Sequence, residues 1–279
     1  MGITKVITFI LLGILLFIDI FPIYFMFVTS LTPERYAFYP RLFEPNPSLV
    51  NYYEQLFGFF GGYLEKGAFL VYFRNSLIVA LGTTLLAILI CIPSAYSLAR
   101  FKYKGNAILS NMVLVSYIIP YSFLMVPIFI EIQAYGLVDT YQGIVLAITA
   151  FVVPYCIWIF KEHFRSIPNE IIESAKVDGA GTFKIISSIV VPLSISPIVA
   201  LGTYAFVMAW NEFLLVLVLS SSRDKFTVPL GLYFLLGGDQ VPWGGLMAMS
   251  LLYSIPPLIF YYAFQKYMVR GIMAGAVKG

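Results

Sequence analysis

Six long apolar stretches run through the 279-residue sequence and limit what it can fold into. A helix of about 20 apolar residues crosses the hydrocarbon core of a bilayer, and inside a bilayer only helices and closed barrels satisfy their own backbone hydrogen bonds. Within the stretches only Asp19 and Glu212 carry a charge. The sequence therefore predicts an all-α integral membrane protein with one domain over residues 1–279. Its six predicted transmembrane helices cover residues 6–31, 76–99, 107–130, 141–160, 193–222 and 246–264.

Composition supports the bilayer as solvent. Hydrophobic residues make up 60% of the sequence and charged residues 11%, whereas soluble domains are about half apolar and a quarter charged. The first stretch is too long for a signal peptide and no small-x-small cleavage site follows it, so we expect a retained anchor. Cys91 and Cys156 lie in different stretches without C-x-x-C spacing, which favours buried thiols over a disulfide or a zinc site.

The basic residues predict the orientation, because Lys and Arg concentrate in cytoplasmic loops. Of the 17 basic residues, eleven fall on the side that carries both termini. These eleven are Lys5, Arg100, Lys102, Lys104, Lys161, Arg165, Lys176, Lys184, Lys266, Arg270 and Lys278. We therefore expect both termini, and the loop over residues 161–192, to lie in the cytoplasm. The segment after the first stretch and the loop over residues 223–245 would lie outside, as a lid or as short interfacial or re-entrant helices.

The loop over residues 161–192 is unusually polar for this chain. Pro168 excludes a continuous helix from the fourth stretch, and Asn169 is a suitable N-cap. Residues 170–177 predict a short helix with an apolar strip at Ile171, Ile172 and Ala175. The pattern therefore indicates a short helix lying crosswise beneath the membrane.

A sharp turn is expected where this short helix ends. Asp178 and Gly179 follow it, and glycine can adopt the left-handed conformation that closes a helix. Thr182 is a suitable N-cap for a second helix, which leads to Pro192 and the fifth stretch. The apolar residues of that second helix are Phe183, Ile186, Ile189 and Val190.

The same residues carry a family resemblance. The loop resembles the EAA motif of the permease subunits of binding-protein-dependent ABC importers, E-A-A-x-x-D-G-A-x8-I-x-L-P. The matching residues are Glu173, Ala175, Asp178, Gly179, Ala180, Ile189 and Pro192, with Ser174 and Val191 as the two departures. The C-terminal "GIMAGAVKG" and the "AWNEFL" of residues 209–214 resemble the smaller permease subunit of maltose-type sugar importers.

The resemblance implies a type I ABC importer permease in the plasma membrane of a bacterium or an archaeon. It implies a second permease subunit, two ATPase subunits that bind ATP and Mg²⁺, and an extracytoplasmic sugar-binding protein. The loop would be the coupling helix that carries ATP-driven motion of the ATPase subunits into the spans. Its ATPase-coupling residues would be Glu173, Ser174, Ala175, Asp178, Gly179, Ala180 and Pro192, with tail contacts from Ala274, Gly275, Lys278 and Gly279.

A second kind of site is suggested by the intramembrane polar residues, because a carboxylate inside the bilayer is costly. The resemblance suggests that Asn211 and Glu212 shape the translocation path. A rival interpretation is a self-sufficient channel or ion-coupled carrier, in which Asp19 and Glu212 would be ion sites. His163, the only histidine, lies in the polar loop and suggests a solvated or interface role.

Several other classes are disfavoured by what the sequence lacks. It contains no G-x-x-x-x-G-K-[ST] loop, no H-E-x-x-H and no G-x-S-x-G, so we expect neither ATP hydrolysis nor a bound metal or cofactor in this chain itself. The net charge of +3 follows from the orientation bias and gives no reason to expect nucleic-acid binding. Lipid is the expected surrounding. The carried substrate stays open between a monosaccharide, an oligosaccharide and a polyol.

Overall fold

The structure is a computed structural model that describes residues 3–33, 41–58, 67–237 and 241–276. These residues form helices and turns, with no β-strand in any of the four ranges. The all-helical class predicted from the apolar stretches is confirmed.

Seven α-helices come first along the described residues. They are α1 (Ile3–Ser30), α2 (Val50–Phe57), α3 (Ala68–Arg100), α4 (Asn106–Ile118), α5 (Tyr121–Ala134), α6 (Tyr141–Ser166) and α7 (Asn169–Val177). Next come α8 (Thr182–Ile185), a π-helical turn (Ile186–Val190), α9 (Val191–Leu193), α10 (Ile195–Trp210) and α11 (Leu214–Leu219). A 3₁₀ turn (Arg223–Lys225), α12 (Val228–Leu236) and α13 (Trp243–Ala276) complete the order.

Four of these helices, α1, α3, α6 and α13, are long and apolar enough to cross a membrane singly. Two further pairs pass the same test when each is taken as one bent span. In the first pair α4 meets α5 at 106°, and in the second the Thr182–Leu193 segment meets α10 at 84°. The number of candidate spans among the described residues is therefore four, or up to six with the bent pairs.

The helix bounds differ from the predicted stretches: α3 begins at Ala68 rather than at residue 76, α13 covers Trp243–Ala276 rather than residues 246–264, and three further differences concern breaks and the polar loop. Residues 107–130 form two helices because Ile119, which precedes Pro120, adopts an extended conformation. The stretch over residues 193–222 is interrupted at Ser194 and again at residues 211–213. In addition, α6 continues to Ser166, so the first part of the predicted loop over residues 161–192 is helical.

The chain divides into two compact units. The first contains residues 1–73 and 228–255. In it the buried Asn51 of α2 donates through Nδ2 to the backbone oxygens of Ser30 and Thr32, at 2.8 and 2.9 Å, and so fixes α2 at the end of α1. The apolar "FTVPLGLYFLL" contributes the short helix α12, as expected for a piece too short to span.

The second unit contains residues 74–227 and 256–279 and includes the polar loop. Its core contains aromatic stacks, such as Phe206 against Phe260 with ring centroids 4.4 Å apart. At one end of α3 the Asn75 amide donates to the carbonyls of Asp224 and Phe226, both at 2.8 Å. Both cysteines are free thiols and buried, as the sequence indicated.

Candidate functional site in the polar loop between α6 and α10

The loop begins at a sharp junction between α6 and α7. Ile167 is extended, with ψ at 129°, and Pro168 occupies the N-cap position of α7 with ψ at 136°. The prediction that Asn169 caps this helix is wrong, because Asn169 is its first helical residue and makes no cap bond. The predicted helix itself is confirmed over Asn169–Val177.

Arg100, the last residue of α3, holds this junction. Its Nη1 donates to Asn169 Oδ1 at 2.5 Å, and its Nη2 donates to the carbonyl oxygens of Phe164 and Ile167. Carbonyls in the last turn of a helix lack an intrahelical partner, so one planar guanidinium satisfies the end of α6 and anchors the start of α7. From the sequence, Arg100 was expected only to contribute to orientation, since its three acceptors are 64 to 69 residues away in the chain.

A Schellman turn closes α7. Gly179 has φ at +80°, its N–H donates to the Lys176 carbonyl at 3.0 Å, and the Ala180 N–H donates to the Ala175 carbonyl at 2.9 Å. These two bonds define the motif in which a left-handed residue ends a helix. The left-handed conformation expected of Gly179 is confirmed.

The second helix of the loop begins one residue earlier than predicted. Gly181 occupies the N-cap position and Thr182 is the first helical residue, so the prediction that Thr182 is the cap is wrong. Ile185 and Val190 are buried, whereas Phe183 is 83% exposed. Ile185 and Val190 therefore anchor the helix in the protein, while the Phe183 side chain lies on the surface.

A hydrogen bond between α6 and the bend before α10 fixes the far end of the loop. His163 Nε2 lies 3.0 Å from the hydroxyl oxygen of Ser194, which is fully buried at the 84° bend. His163 is thus a half-buried residue in the last turn of α6. Of the two roles expected, solvated or interface, full solvation does not hold, because the ring contacts Ser194, and the interface role stays a prediction.

The predicted coupling residues are mostly accessible. Glu173, Ser174, Asp178, Gly179 and Pro192 are exposed, and Ala180 is half-buried. Ala175, in contrast, is buried together with Ile172, so these two side chains form the packed face of α7.

The sequence did not predict the strong exposure of two apolar side chains in the loop. Val177 is 88% exposed and Phe183 is 83% exposed. Ile171, expected in the apolar strip of α7, is also exposed. Periodicity assigns apolar residues to a core, and it cannot show that α7 ends at Val177 with its side chain facing outward.

The second candidate site, at Asn211 and Glu212, lies in the break between α10 and α11. Glu212 Oε1 accepts the backbone N–H of Leu215 at 2.8 Å, and Asn211 Nδ2 donates to the Val207 carbonyl at 2.9 Å. The carboxylate therefore satisfies an orphan donor at the start of α11, while Asn211 is exposed. Of the predicted tail contacts, Ala274 and Gly275 lie at the end of α13, and Lys278 and Gly279 lie outside the described residues.

This geometry presents a short helix, pinned at both ends, with carboxylate and apolar side chains facing outward. Such an element is suited to docking against another polypeptide and to moving with the helices that hold it. A family model described as "Binding-protein-dependent transport system inner membrane component" matches residues 87–274. The chain is thus an integral membrane permease subunit of an ABC importer and belongs to this family.

Three relatives are similar to this chain over nearly its whole length. It is 32% identical over 270 residues to the inner membrane ABC transporter permease protein YcjP of Escherichia coli, covering 96% of this chain and 94% of the relative. It is 32% identical to the trehalose/maltose transport system permease protein MalG of Thermococcus litoralis, covering 94% and 92%. The same identity relates it to the sulfoquinovosyl glycerol transport system permease protein SmoH of Agrobacterium fabrum, covering 99% and 94%.

A solved structure shares the fold. A chain of a bacterial ABC transporter involved in the import of the acidic polysaccharide alginate superposes with a TM-score of 0.79 over 95% of this chain and 96% of that one, at 21% identity. The type I permease fold is therefore confirmed.

Proposed function

We propose that this chain forms half of the translocation path for a carbohydrate and carries ATP-driven motion into that path through α7. The observation that carries the proposal is the coupling loop itself. The loop is held by Arg100 and by the Schellman turn at Gly179, while the side chains of Glu173 and Phe183 are exposed on its surface.

The loop's surface has the composition expected of a docking element. An exposed apolar side chain such as Phe183 gains free energy when a partner buries it, and Glu173 adds a charge that an Arg of the partner can pair with. The partner we propose is an ATPase subunit, present in two copies that bind ATP and Mg²⁺. Ala274, Gly275, Lys278 and Gly279 would add tail contacts at the same interface.

Carbohydrate is the proposed substrate class because relatives that cover most of the chain are named for trehalose, maltose and sulfoquinovosyl glycerol transport. A second permease subunit would complete the path, and an extracytoplasmic sugar-binding protein would deliver the ligand. We place Asn211 and Glu212 beside the path, since they lie where the fifth span is broken and Asn211 is accessible. Both termini would be cytoplasmic in the plasma membrane of the host.

Transport by the full chain, reconstituted in liposomes with its partner subunits, tests the proposal. Glu173→Lys and Gly179→Val should each abolish ATP-driven sugar uptake and substrate-stimulated ATP turnover. Glu162→Lys is the matched charge-reversal control, because Glu162 lies on α6 and its carboxylate already pairs with Lys161 at 3.6 Å and with Arg165 at 3.2 Å. Uptake that needs an ion gradient but no ATP would establish the rival ion-coupled carrier and overturn the proposal.

A further inference from the structure

A basic turn joins α3 to α4 at residues 101–105, away from the coupling residues. Lys102, Lys104 and Arg165 line one open groove there, with a volume of about 810 Å³. Among the described residues neither lysine forms an ion pair, whereas Arg165 pairs with Glu162 at 3.2 Å. The groove therefore has an excess of unneutralised positive charge.

The backbone of this turn is fixed before any ligand arrives. Asn106 Nδ2 donates to the carbonyls of Leu98 and Phe101 at 3.2 and 3.0 Å, and the Asn106 N–H donates to the Tyr103 carbonyl at 3.2 Å. Gly105 has φ at +93°, a conformation that costs glycine little. Lys102 and Lys104 therefore project from a rigid turn, and binding costs less ordering entropy than it would from a mobile loop.

An apolar cavity adjoins the basic groove. It has a volume of about 620 Å³ and shares Leu98 and Tyr103 with the groove. Leu109, Met112 and Val113 of α4 line it, and Pro154 and Ile157 of α6 lie opposite. A ligand that occupies both spaces needs an anionic end and a long apolar end.

We propose that this composite groove binds one anionic phospholipid. Lys102 and Lys104, with Arg165, hold the phosphate of the headgroup, and an acyl chain lies along Leu109, Met112 and Val113. Basic pockets at the cytoplasmic end of membrane helices suit anionic headgroups, and each lysine near the surface adds to the attraction. An acidic protein segment would meet the lysines equally well, but it has no acyl chain for the apolar half. This inference goes beyond the transport function and does not involve the proposed ATPase-coupling residues.

Native mass spectrometry of the full chain with its partner subunits tests the proposal. The complex is taken from nanodiscs that contain equal parts of phosphatidylcholine and phosphatidylglycerol with matched acyl chains. We expect the wild type to retain phosphatidylglycerol, and the double variant Lys102→Ala, Lys104→Ala to lower its retention by about tenfold or more. The control removes Lys5 and Lys266 instead, two lysines of the same predicted membrane side, and should retain the lipid.

Met112→Trp provides a second variant that leaves every charge in place. It fills the apolar half and should also displace the lipid, which keeps the proposal testable if the lysine variant does not assemble. Equal retention in all variants, or equal loss in the Lys5 and Lys266 control, overturns the proposal. A photo-crosslinker at Tyr103 that captures a protein subunit rather than lipid also overturns it. Glu173→Lys should keep the lipid even where it abolishes transport, so the two proposals can fail separately.

Discussion

Gly179 and Gly181 stand two residues apart in the coupling loop and differ in one property. Gly179 has φ at +80° and Gly181 has φ at −69°, and a Cβ added to either would meet no atom within 4 Å. Space is therefore available at both positions. Only at Gly179 does backbone conformation oppose a side chain.

Gly179→Ala should weaken the Schellman turn by about 1 kcal/mol, because a non-glycine residue is strained in the left-handed region. Amide hydrogen exchange at Ala180, whose N–H bonds to Ala175, should accelerate by roughly fivefold. Gly181→Ala is the matched control and should leave the rate unchanged. Equal rates in both variants would show that the turn does not depend on its left-handed residue.

Asp139, between α5 and α6, anchors that segment to the residues that follow α11. Its Oδ1 accepts the N–H groups of Ser221 and Ser222 at 2.9 and 3.0 Å, and its Oδ2 accepts the Ser222 hydroxyl at 2.5 Å. Desolvation opposes ionisation of the carboxyl, but these hydrogen bonds outweigh it, so its pKa lies below the ordinary 3.8. Asp139 also has φ at +61°.

The stability that Asp139 contributes should depend on pH with a defined sign. Since the folded pKa is depressed, the contribution is complete above about pH 4 and is lost as the pH falls through the folded pKa. Asp139→Asn should remove that acid sensitivity with a small loss of stability, since asparagine tolerates positive φ and retains an acceptor. Asp139→Ala should destabilise more. Thermal unfolding of the purified chain at pH 3 to 7 measures this, and equal melting temperatures for the two variants would contradict the anchoring role.

At the scale of single residues, the sequence predicted what depends on local backbone chemistry. Pro168 lacks an N–H and stands where α7 begins, and Gly179 adopts the left-handed conformation where α7 ends. Both effects act within a few residues, so the sequence alone predicts them. The cap assignment at Asn169 failed for the opposite reason. The Asn169 side chain is engaged by Arg100, which no local pattern places beside it.

Three helices meet at Arg100, so the coupling element is more than α7 alone. The guanidinium connects the end of α3 to the last turn of α6 and the first residue of α7. The His163 and Ser194 contact adds α6 to the bend before α10. We therefore expect motion applied to α7 to reach three long helices, α3, α6 and α10.

Arg100→Lys should uncouple these helices. Lysine offers a point charge in place of a planar fork and cannot reach all three acceptors, which leaves carbonyls of α6 unpaired. We expect a loss of about 1–3 kcal/mol in stability and more ATP hydrolysed per sugar carried. Arg165→Lys is the control, because Arg165 makes one exposed ion pair, and exposed pairs contribute little. Full activity and stability in Arg100→Lys would refute the clamp.

At the scale of elements, the all-helical class followed from apolar length, but the bends did not. The apolar run over residues 193–222 continues through Ser194, so hydropathy gives no sign of the 84° turn there. The apolar run over residues 107–130 likewise continues through Pro120, where the structure bends by 106°. The exposure of Val177 and Phe183 was missed because an apolar residue in a helical pattern usually indicates burial.

At the scale of the whole molecule, α1 is the helix with the most exposed apolar surface among the candidate spans. Its most apolar window has no buried side chain, and among the described residues Asp19 forms no hydrogen bond or ion pair. A carboxylate in the middle of an apolar helix is costly against lipid. The second permease subunit is the surface we expect to meet it.

Asp19→Leu should therefore reduce assembly with the second permease, even though it makes α1 more apolar. The yield of the co-purified complex measures this, with Ile20→Leu as the neighbouring control on the same helix. An undiminished yield with Asp19→Leu would show that the carboxylate lies outside the subunit interface.

The central claim is that the loop between α6 and α10 contacts an ATPase subunit, and a photo-crosslinker at Phe183 measures this contact directly. The matched control is the same group at Phe234 of α12, another exposed aromatic residue on the side predicted to lie outside. We expect a crosslinked product with the ATPase subunit from position 183 and none from position 234. A product with the ATPase at position 234 alone, or with the extracytoplasmic binding protein at position 183, would contradict the account.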